Sequence, residues 1–385
     1  MTVTRRQFVQ GLVTALLSVN SATSCTNRSN VSFESISEIL ERATTPGWFR
    51  SREVNAAVLD ICCRNRRFTK AYGDAVNVDQ VFVIASITKP IIATAAMALK
   101  DRGKLALEDR AVNYVPEFTG DWRKDITIQN LLTHTAGLPD VLPQMHEMAA
   151  REATLEEMFA ATCKVPLLFK PGTAVSYSNL GVLVVKEILE RISGTPLREF
   201  LKREIFEPLA MNASSLGLGG RSISSIAQTQ RSNPDTYYQY DLGAPWGGVF
   251  STASDLTRFL HYFVDPARAK VLEAATAREM LVDHCRGLNQ PWGIGWMLAN
   301  SHDCSFNVRP SWHQYGWKVF LSNPESGPAF GSHCSAAAFG HYGVSGTIAW
   351  ADPQSGISMV LLTTKHVRYS RDGVLGPVSD RVSQL

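Results

Sequence analysis

No apolar run in this 385-residue chain reaches the roughly 18 to 20 residues that a membrane-spanning helix needs. An excess of one charge is also lacking. There are 38 Lys and Arg against 35 Asp and Glu, a net charge of +3, and no basic stripe interleaved with aromatics, which argues against a nucleic-acid binder. The seven cysteines include no Cys-x-x-Cys pair. His284-Cys285, His302-x-Cys304 and His333-Cys334 lack the spacing of a zinc site, so no metal or other cofactor is expected. No internal repeat is present. What is there is 45% hydrophobic and 19% charged, globular material for one large or two moderate domains.

The first 25 residues stand apart. "TRRQFVQGLVTALLSVNSATSC" has Arg5-Arg6, then Phe8, then an apolar stretch from Gly11 to Val19, the order of a twin-arginine export signal. Export from a bacterial cytoplasm, to the periplasm or beyond, is the expectation. Cys25 is a candidate lipid-attachment cysteine, although the leucine usual three positions earlier is missing.

Beyond the leader, "FESISEILERATT" has helical spacing, and "NAAVLDICC" with "FTKAYG" reads as a β-hairpin. A helix is expected from Ile87 to Lys104, ended by Gly103. From about 105 to 245 the periodicity is mainly helical ("ITIQNLLTH", "TLEEMFAATC", "GVLVVKEILERISG"). "TASDLTRFLHYFV" is a helix with an N-terminal signature at Ser254 or Asp255. "PWGIGWML", "GTIAWA" and "ISMVLLTTK" read as strands, the last two joined by the turn "DPQSG"; "GPVSDRVSQ" reads as a closing helix. Strands at both ends with helices between them predict an α+β fold, its sheet built from about 30–104 and 246–385 and interrupted by a helical insertion at about 105–245.

Three short segments carry candidate chemistry. Ser86-Ile87-Thr88-Lys89 lies at a predicted helix start, with Lys89 one turn beyond the Ser86 hydroxyl. A serine needs a base to become a nucleophile, and a lysine that is partly buried at a helix N-terminus gives up its proton more easily. The Ser86 N–H can also donate to an oxyanion. Tyr177-Ser178-Asn179 follows a "KPG" turn; a nearby lysine cation would lower the tyrosine pKa, and Asn179 could donate to a substrate carbonyl. His341-Tyr342-Gly343 enters a strand; its glycines permit close approach of a substrate to the backbone, and the Val344 N–H is a second candidate oxyanion donor. Each has a plainer reading: an N-cap serine with a surface lysine, a packed turn tyrosine, a strand-end histidine beside a bulge.

Together, and in this order, the three segments resemble the serine β-lactamase and penicillin-binding protein superfamily, above all class C β-lactamases and the related D-alanyl-D-alanine carboxypeptidases and esterases. "LALEDRAVNYVPEF", "ITIQNLLTHTAGLPD", "PWGGVFSTASDLTRFL" and "GTIAWADPQSGISMVLLTTK" extend the likeness over most of residues 35–370. It implies the β-lactamase/transpeptidase-like fold, an α/β/α sandwich with an antiparallel sheet, as one serine hydrolase domain over about 30–370. It implies that Ser86 is acylated and that Lys89 and Tyr177 share the base and acid work. Asn179, His341, Gly343 and Val344 would bind the substrate, with the Ser86 and Val344 N–H groups as oxyanion hole. Gly247-Gly248 and "HTAGLP" would shape the cleft rim. No class A-type deacylating glutamate is apparent.

The chain departs from class C enzymes at the third motif, where His341-Tyr342-Gly343 replaces Lys-Thr-Gly. A histidine near its reference pKa is mostly neutral at pH 7. Efficient β-lactam hydrolysis is therefore not expected, and an ester or D-amino-acid peptide or amide from the cell wall or the small-molecule pool is. Activity on carboxylate-bearing substrates is expected to rise toward pH 6, and Tyr342 to narrow the cleft. A non-catalytic peptidoglycan-binding relative is the competing reading; the presence of serine, lysine and tyrosine together speaks for catalysis. Substrate choice is expected to rest on the stretches around 218–245 and 300–335.

Overall fold

The computed structural model describes residues 31–47, 51–230, 240–268, 270–299, 301 and 329–385. The leader, Cys25, His302 and Cys304 lie outside the described residues, as does much of the two stretches expected to select the substrate.

Six strands form the main sheet, in the order β2-β1-β9-β8-β7-β6 and antiparallel throughout. They are β1 (Ala56–Cys63), β2 (Arg66–Gly73), β6 (Met297–Leu298), β7 (Phe339–Gly343), β8 (Thr347–Asp352) and β9 (Ile357–Thr363). A small second sheet joins β3 (Phe82–Val83), β5 (Val249–Ser251) and β4 (Ser215–Leu216).

The period-two rule splits the main sheet's side chains between two cores. Val58, Val360, Leu362, Ala349 and Phe339 enter the first, with helix α2 (Thr88–Asp101) and a helix at Ala253–Val264. Leu59, Met359, Leu361, Ile348 and Trp350 enter the second, with α1 (Phe33–Thr44) and the C-terminal helix Gly376–Ser383. The sheet is thus covered by helices on both faces. Helix α2 is buried from Thr88 through Leu99, as its apolar residues on every side require. From the middle of the chain α3 (Asn179–Ser193) packs on it, and the helices Ile128–Leu132 and Leu155–Thr162 pack in turn on α3.

Two local expectations change. The helix at Ala253–Val264 is capped by Thr252, whose hydroxyl accepts the Asp255 N–H, and not by Ser254 or Asp255. Of "PWGIGWML" only Met297–Leu298 forms a strand. The Gly293 N–H turns back to the Trp296 carbonyl at 2.9 Å, and a Cβ on Gly295 would lie 2.4 Å from the Ala93 Cβ. The glycines serve a tight turn pressed against α2, which an apolar run alone does not reveal.

Candidate active site

The nucleophile segment is a pinned turn. After two residues of β3 the chain reverses at Ala85, whose φ of +48° is the left-handed region that a side chain disfavours. Neighbours hold it there: the Ile84 N–H donates to the Val249 carbonyl at 3.0 Å, Thr347 Oγ1 to the Ile84 carbonyl at 3.1 Å, and Ser345 Oγ to the Val83 carbonyl at 2.8 Å. Ser86 follows, half-buried in a single 3-10 turn that leads into α2.

Lys89 lies one turn on and is 2% exposed. Its Nζ donates to Ser86 Oγ at 3.1 Å and to the Trp246 carbonyl at 2.8 Å. The same ammonium lies 4.6 Å from the centre of the Tyr177 ring, over its face. Gly247, expected at the rim, packs against the Ala85 backbone, where a Cβ would be 3.6 Å from the Ala85 carbonyl carbon. The Trp246-Gly247 loop therefore backs the nucleophile turn and fixes the lysine.

Tyr177 is held just ahead of α3. Ser178 is the N-cap: its hydroxyl accepts the Gly181 N–H at 3.0 Å and donates to the Pro139 carbonyl at 2.8 Å. Asn179 opens the helix beside Asp140; its N–H donates to Asp140 Oδ1 at 3.2 Å. Desolvation pushes the Asp140 carboxyl up to about 6, against the pull of the Lys89 cation and the Asn179 N–H.

The third motif lies on β7, and three expectations about it change. His341 is wholly buried, its ring centre 6.1 Å from those of Tyr177 and Trp292. Burial first, then the Lys89 charge, push its pKa down to about 3, so it stays neutral at pH 6 and supplies no charge to a carboxylate. Its Nδ1–H donates to the Tyr342 carbonyl at 2.6 Å, which leaves Nε2 as the bare acceptor. Tyr342 does not narrow the cleft. It points to the opposite face of the strand, stacks on Phe330 and donates to the Ala329 carbonyl at 2.6 Å. Gly343 admits protein in place of substrate: a Cβ there would fall 2.3 Å from the Ile84 carbonyl oxygen and 3.2 Å from the Ala85 Cβ. This contact lays the turn at Val344 alongside Ser86.

Sequence reasoning gave no chemical role to three neighbours of these residues. His134 and Trp292 are buried with ring centres 4.7 and 6.1 Å from that of Tyr177. Asp140 is the third. His134 opens the "HTAGLP" stretch expected at the cleft rim and Asp140 follows directly after it; Trp292 stands in a segment expected as strand. Among the described residues no group of three His, Cys, Asp or Glu side chains converges as a metal site. Cys285 instead turns its thiol toward the Thr133 carbonyl at 3.8 Å.

A buried lysine bonded to a half-buried serine, with a tyrosine ring against the lysine, is an arrangement for activating a hydroxyl. The family model described as Beta-lactamase matches residues 40–378. The chain belongs to the beta-lactamase family. It is a serine hydrolase of the β-lactamase and penicillin-binding protein superfamily. Protein Rv1367c of Mycobacterium tuberculosis is 27% identical over 323 residues, 74% of this chain and 77% of that protein. The D-alanyl-D-alanine-carboxypeptidase/endopeptidase AmpH of Escherichia coli is 24% identical over 69% of this chain and 74% of its own. Esterase EstB of Burkholderia gladioli reaches 34% over 148 residues, 34% of this chain and 38% of its own. Two solved structures share the fold: EstCE1, a hydrolase with promiscuous acyltransferase activity, at TM-score 0.68, 20% identity and 91% and 97% coverage; and the D-amino acid amidase of Ochrobactrum anthropi SV3 at TM-score 0.66, 20% identity and 91% and 98% coverage.

Proposed function

We propose that this protein hydrolyses carboxylic esters or D-amino-acid amides and peptides through an acyl-enzyme on Ser86. The observation that carries the reading is the 3.1 Å contact of Lys89 Nζ with Ser86 Oγ beneath the Tyr177 ring. Ser86 Oγ attacks the substrate carbonyl carbon and its proton passes to the Lys89–Tyr177 pair. The N–H groups of Ser86 and Val344 receive the oxyanion, and Asn179 steadies the substrate. The pair returns the proton to the departing alcohol or amine. A water then attacks the acyl ester by the same route in reverse and frees Ser86.

Charge in the cleft favours acyl donors without a carboxylate. Neutral His341 offers no cation, and the Asp140 carboxylate lies beside Asn179. A β-lactam, which carries a carboxylate, is disfavoured on the same ground, so weak β-lactamase activity is the second reading. The names of the esterase and amidase relatives support the first. The Arg5-Arg6 leader supports action outside the cytoplasm, with Cys25 as a lipid anchor.

A short-chain aryl ester, a chromogenic cephalosporin and a D-Ala-D-Ala peptide, assayed side by side, test the reading. The ester is expected to turn over fastest, because the cephalosporin and the D-Ala-D-Ala peptide both carry a carboxylate. A fluorophosphonate should phosphonylate Ser86 with loss of fluoride, adding the reagent's mass less HF. Ser86→Ala should lose the adduct and about 10⁴-fold or more in kcat. Turnover that survives Ser86→Ala, or a cephalosporin hydrolysed fastest, overturns it.

A further inference from the structure

His134 touches Tyr177 and both of the residues that flank it. Its backbone φ is +60°, a conformation that a β-carbon makes costly and that surrounding contacts must hold. That bend aims two acceptors of one residue at the same segment. The His134 carbonyl accepts the Ser176 N–H at 2.7 Å, and its Nδ1 accepts the Ser178 N–H at 3.2 Å. The residues on both sides of Tyr177 are thereby tied to His134. Its ring also lies against the tyrosine, with 4.7 Å between centres and 43° between planes.

The Ser178 bond fixes the imidazole chemistry. An Nδ1 that accepts leaves the hydrogen on Nε2, and only a neutral ring accepts at all. Desolvation first, then the Lys89 charge, hold His134 well below its usual pKa, which keeps it in that form. Its Nε2 is buried and has no hydrogen-bond partner among the described residues. A residue kept only to fill space needs neither the strained backbone nor the ring nitrogen turned to Ser178; an apolar side chain would pack as well.

We propose that His134 is a positioning residue: it fixes the backbone on both sides of Tyr177 and so holds the phenol in register with Lys89 and Ser86. This rests on the reading of Tyr177 as acid and base given above.

The test compares His134→Asn, His134→Gln and His134→Ala in the full chain, with steady-state kinetics on a p-nitrophenyl ester and thermal unfolding alongside. Asparagine places an oxygen where Nδ1 was and can accept the Ser178 N–H. Glutamine places its amide nitrogen where Nε2 was and leaves Ser178 unpaired. A misplacement of about 1 Å costs roughly 100-fold, so Ala and Gln should lose about that factor in kcat with KM within about threefold. Asn should keep kcat within about fivefold of the wild type, a rescue that packing alone does not predict, since Gln is the nearer match in size. The double variant Tyr177→Phe/His134→Ala should be no slower than Tyr177→Phe, because a tyrosine without its hydroxyl gains nothing from being held. Gln equal to or better than Asn, losses confined to melting temperature, or additive losses in the double variant overturn the proposal while leaving the role of Tyr177 intact. Tyr177→Phe as fast as the wild type overturns that role and the proposal with it.

Discussion

Two of the buried polar clusters among the described residues are finished differently. In the first, Asp60 of β1 is 1% exposed and its carboxylate accepts four hydrogen bonds: from Arg67 Nε at 2.9 Å and Nη2 at 2.6 Å, from Thr69 at 2.8 Å and from Thr257 at 2.8 Å. It ties β1 to β2 and to the helix at Ala253–Val264. In the second, around Lys89 and Tyr177, His134 Nε2, His341 Nε2, Trp292 Nε1 and Asn179 Oδ1 are all buried without a hydrogen-bond partner among the described residues. Burying a polar atom unpaired costs free energy, so a cluster that serves only the fold is closed by its own side chains. One that leaves donors and acceptors open is set for a ligand's atoms or for chemistry. The closed cluster fits a structural role, and the open one coincides with the active site proposed above.

The largest effect expected breaks the closed cluster without touching the open one. Arg67→Ala removes a side chain that is 48% exposed and strands a carboxylate with no exposure at all. Breaking a buried pair from this side costs about 3 kcal/mol, because the charge left behind is the one that water cannot reach. Urea unfolding should report that loss in the midpoint at unchanged slope, while kcat and KM on an aryl ester stay at wild-type values. A fall in kcat at full stability would show that the two clusters are coupled after all.

Both clusters were legible in part, and the parts differ for a physical reason. Local chemistry could be read from the chain. Ser86 and Lys89 are one helical turn apart, the β1–β2 hairpin and the β8–β9 turn lie within short segments, and Tyr177 and His341 follow in family order. Contacts between distant segments could not. Gly343 looked like an opening for substrate, but the atoms that need its missing side chain belong to Ile84 and Ala85, some 258 residues earlier in the chain (343 less 85). The same limit hid Asp60, an acidic residue in an apolar strand whose partners come from β2 and from Thr257. The outward turn of Tyr342 was within reach, since neighbours in a strand face opposite sides once His341 is placed inward. His341 shows what burial adds: its reference pKa predicts a group close to titration at pH 6, and desolvation beside Lys89 removes that proton entirely.

That point yields the middle prediction. The ratio of rates on a carboxylate-bearing ester and its uncharged isostere should be flat from pH 7 to pH 8, because His341, pushed down to about 3, carries no charge in that window and Asp140, pushed up to about 6, is already ionised there. Taking the ratio cancels the titration of the shared Lys89–Tyr177 machinery. His341→Gln keeps a neutral polar group at Nε2 and should leave the ratio unchanged within about twofold. A ratio that climbs as pH falls in the wild type, and flattens in the variant, would restore His341 as a substrate cation.

The smallest effect sharpens the comparison by setting one aspartate against the other. Asp140 stands at the open cluster, where the Asn179 N–H donates to one of its oxygens and the described residues offer no ion pair. Its pKa is raised to about 6 from an ordinary carboxylate value near 3.8, so the folded protein holds its proton more tightly than the unfolded chain does. The sign follows: below about pH 4 both states are protonated and the group costs nothing; between about 4 and 6 the penalty grows; above about 6 it is present in full. Asp140→Asn keeps the acceptor for Asn179 and removes the charge. Its melting temperature should exceed that of the wild type at pH 7 by a few degrees and match it at pH 4. A melting temperature lowered at pH 7 would mean that the Asp140 charge is needed by the fold, as that of Asp60 is, and the distinction between a closed and an open cluster would fail at this residue.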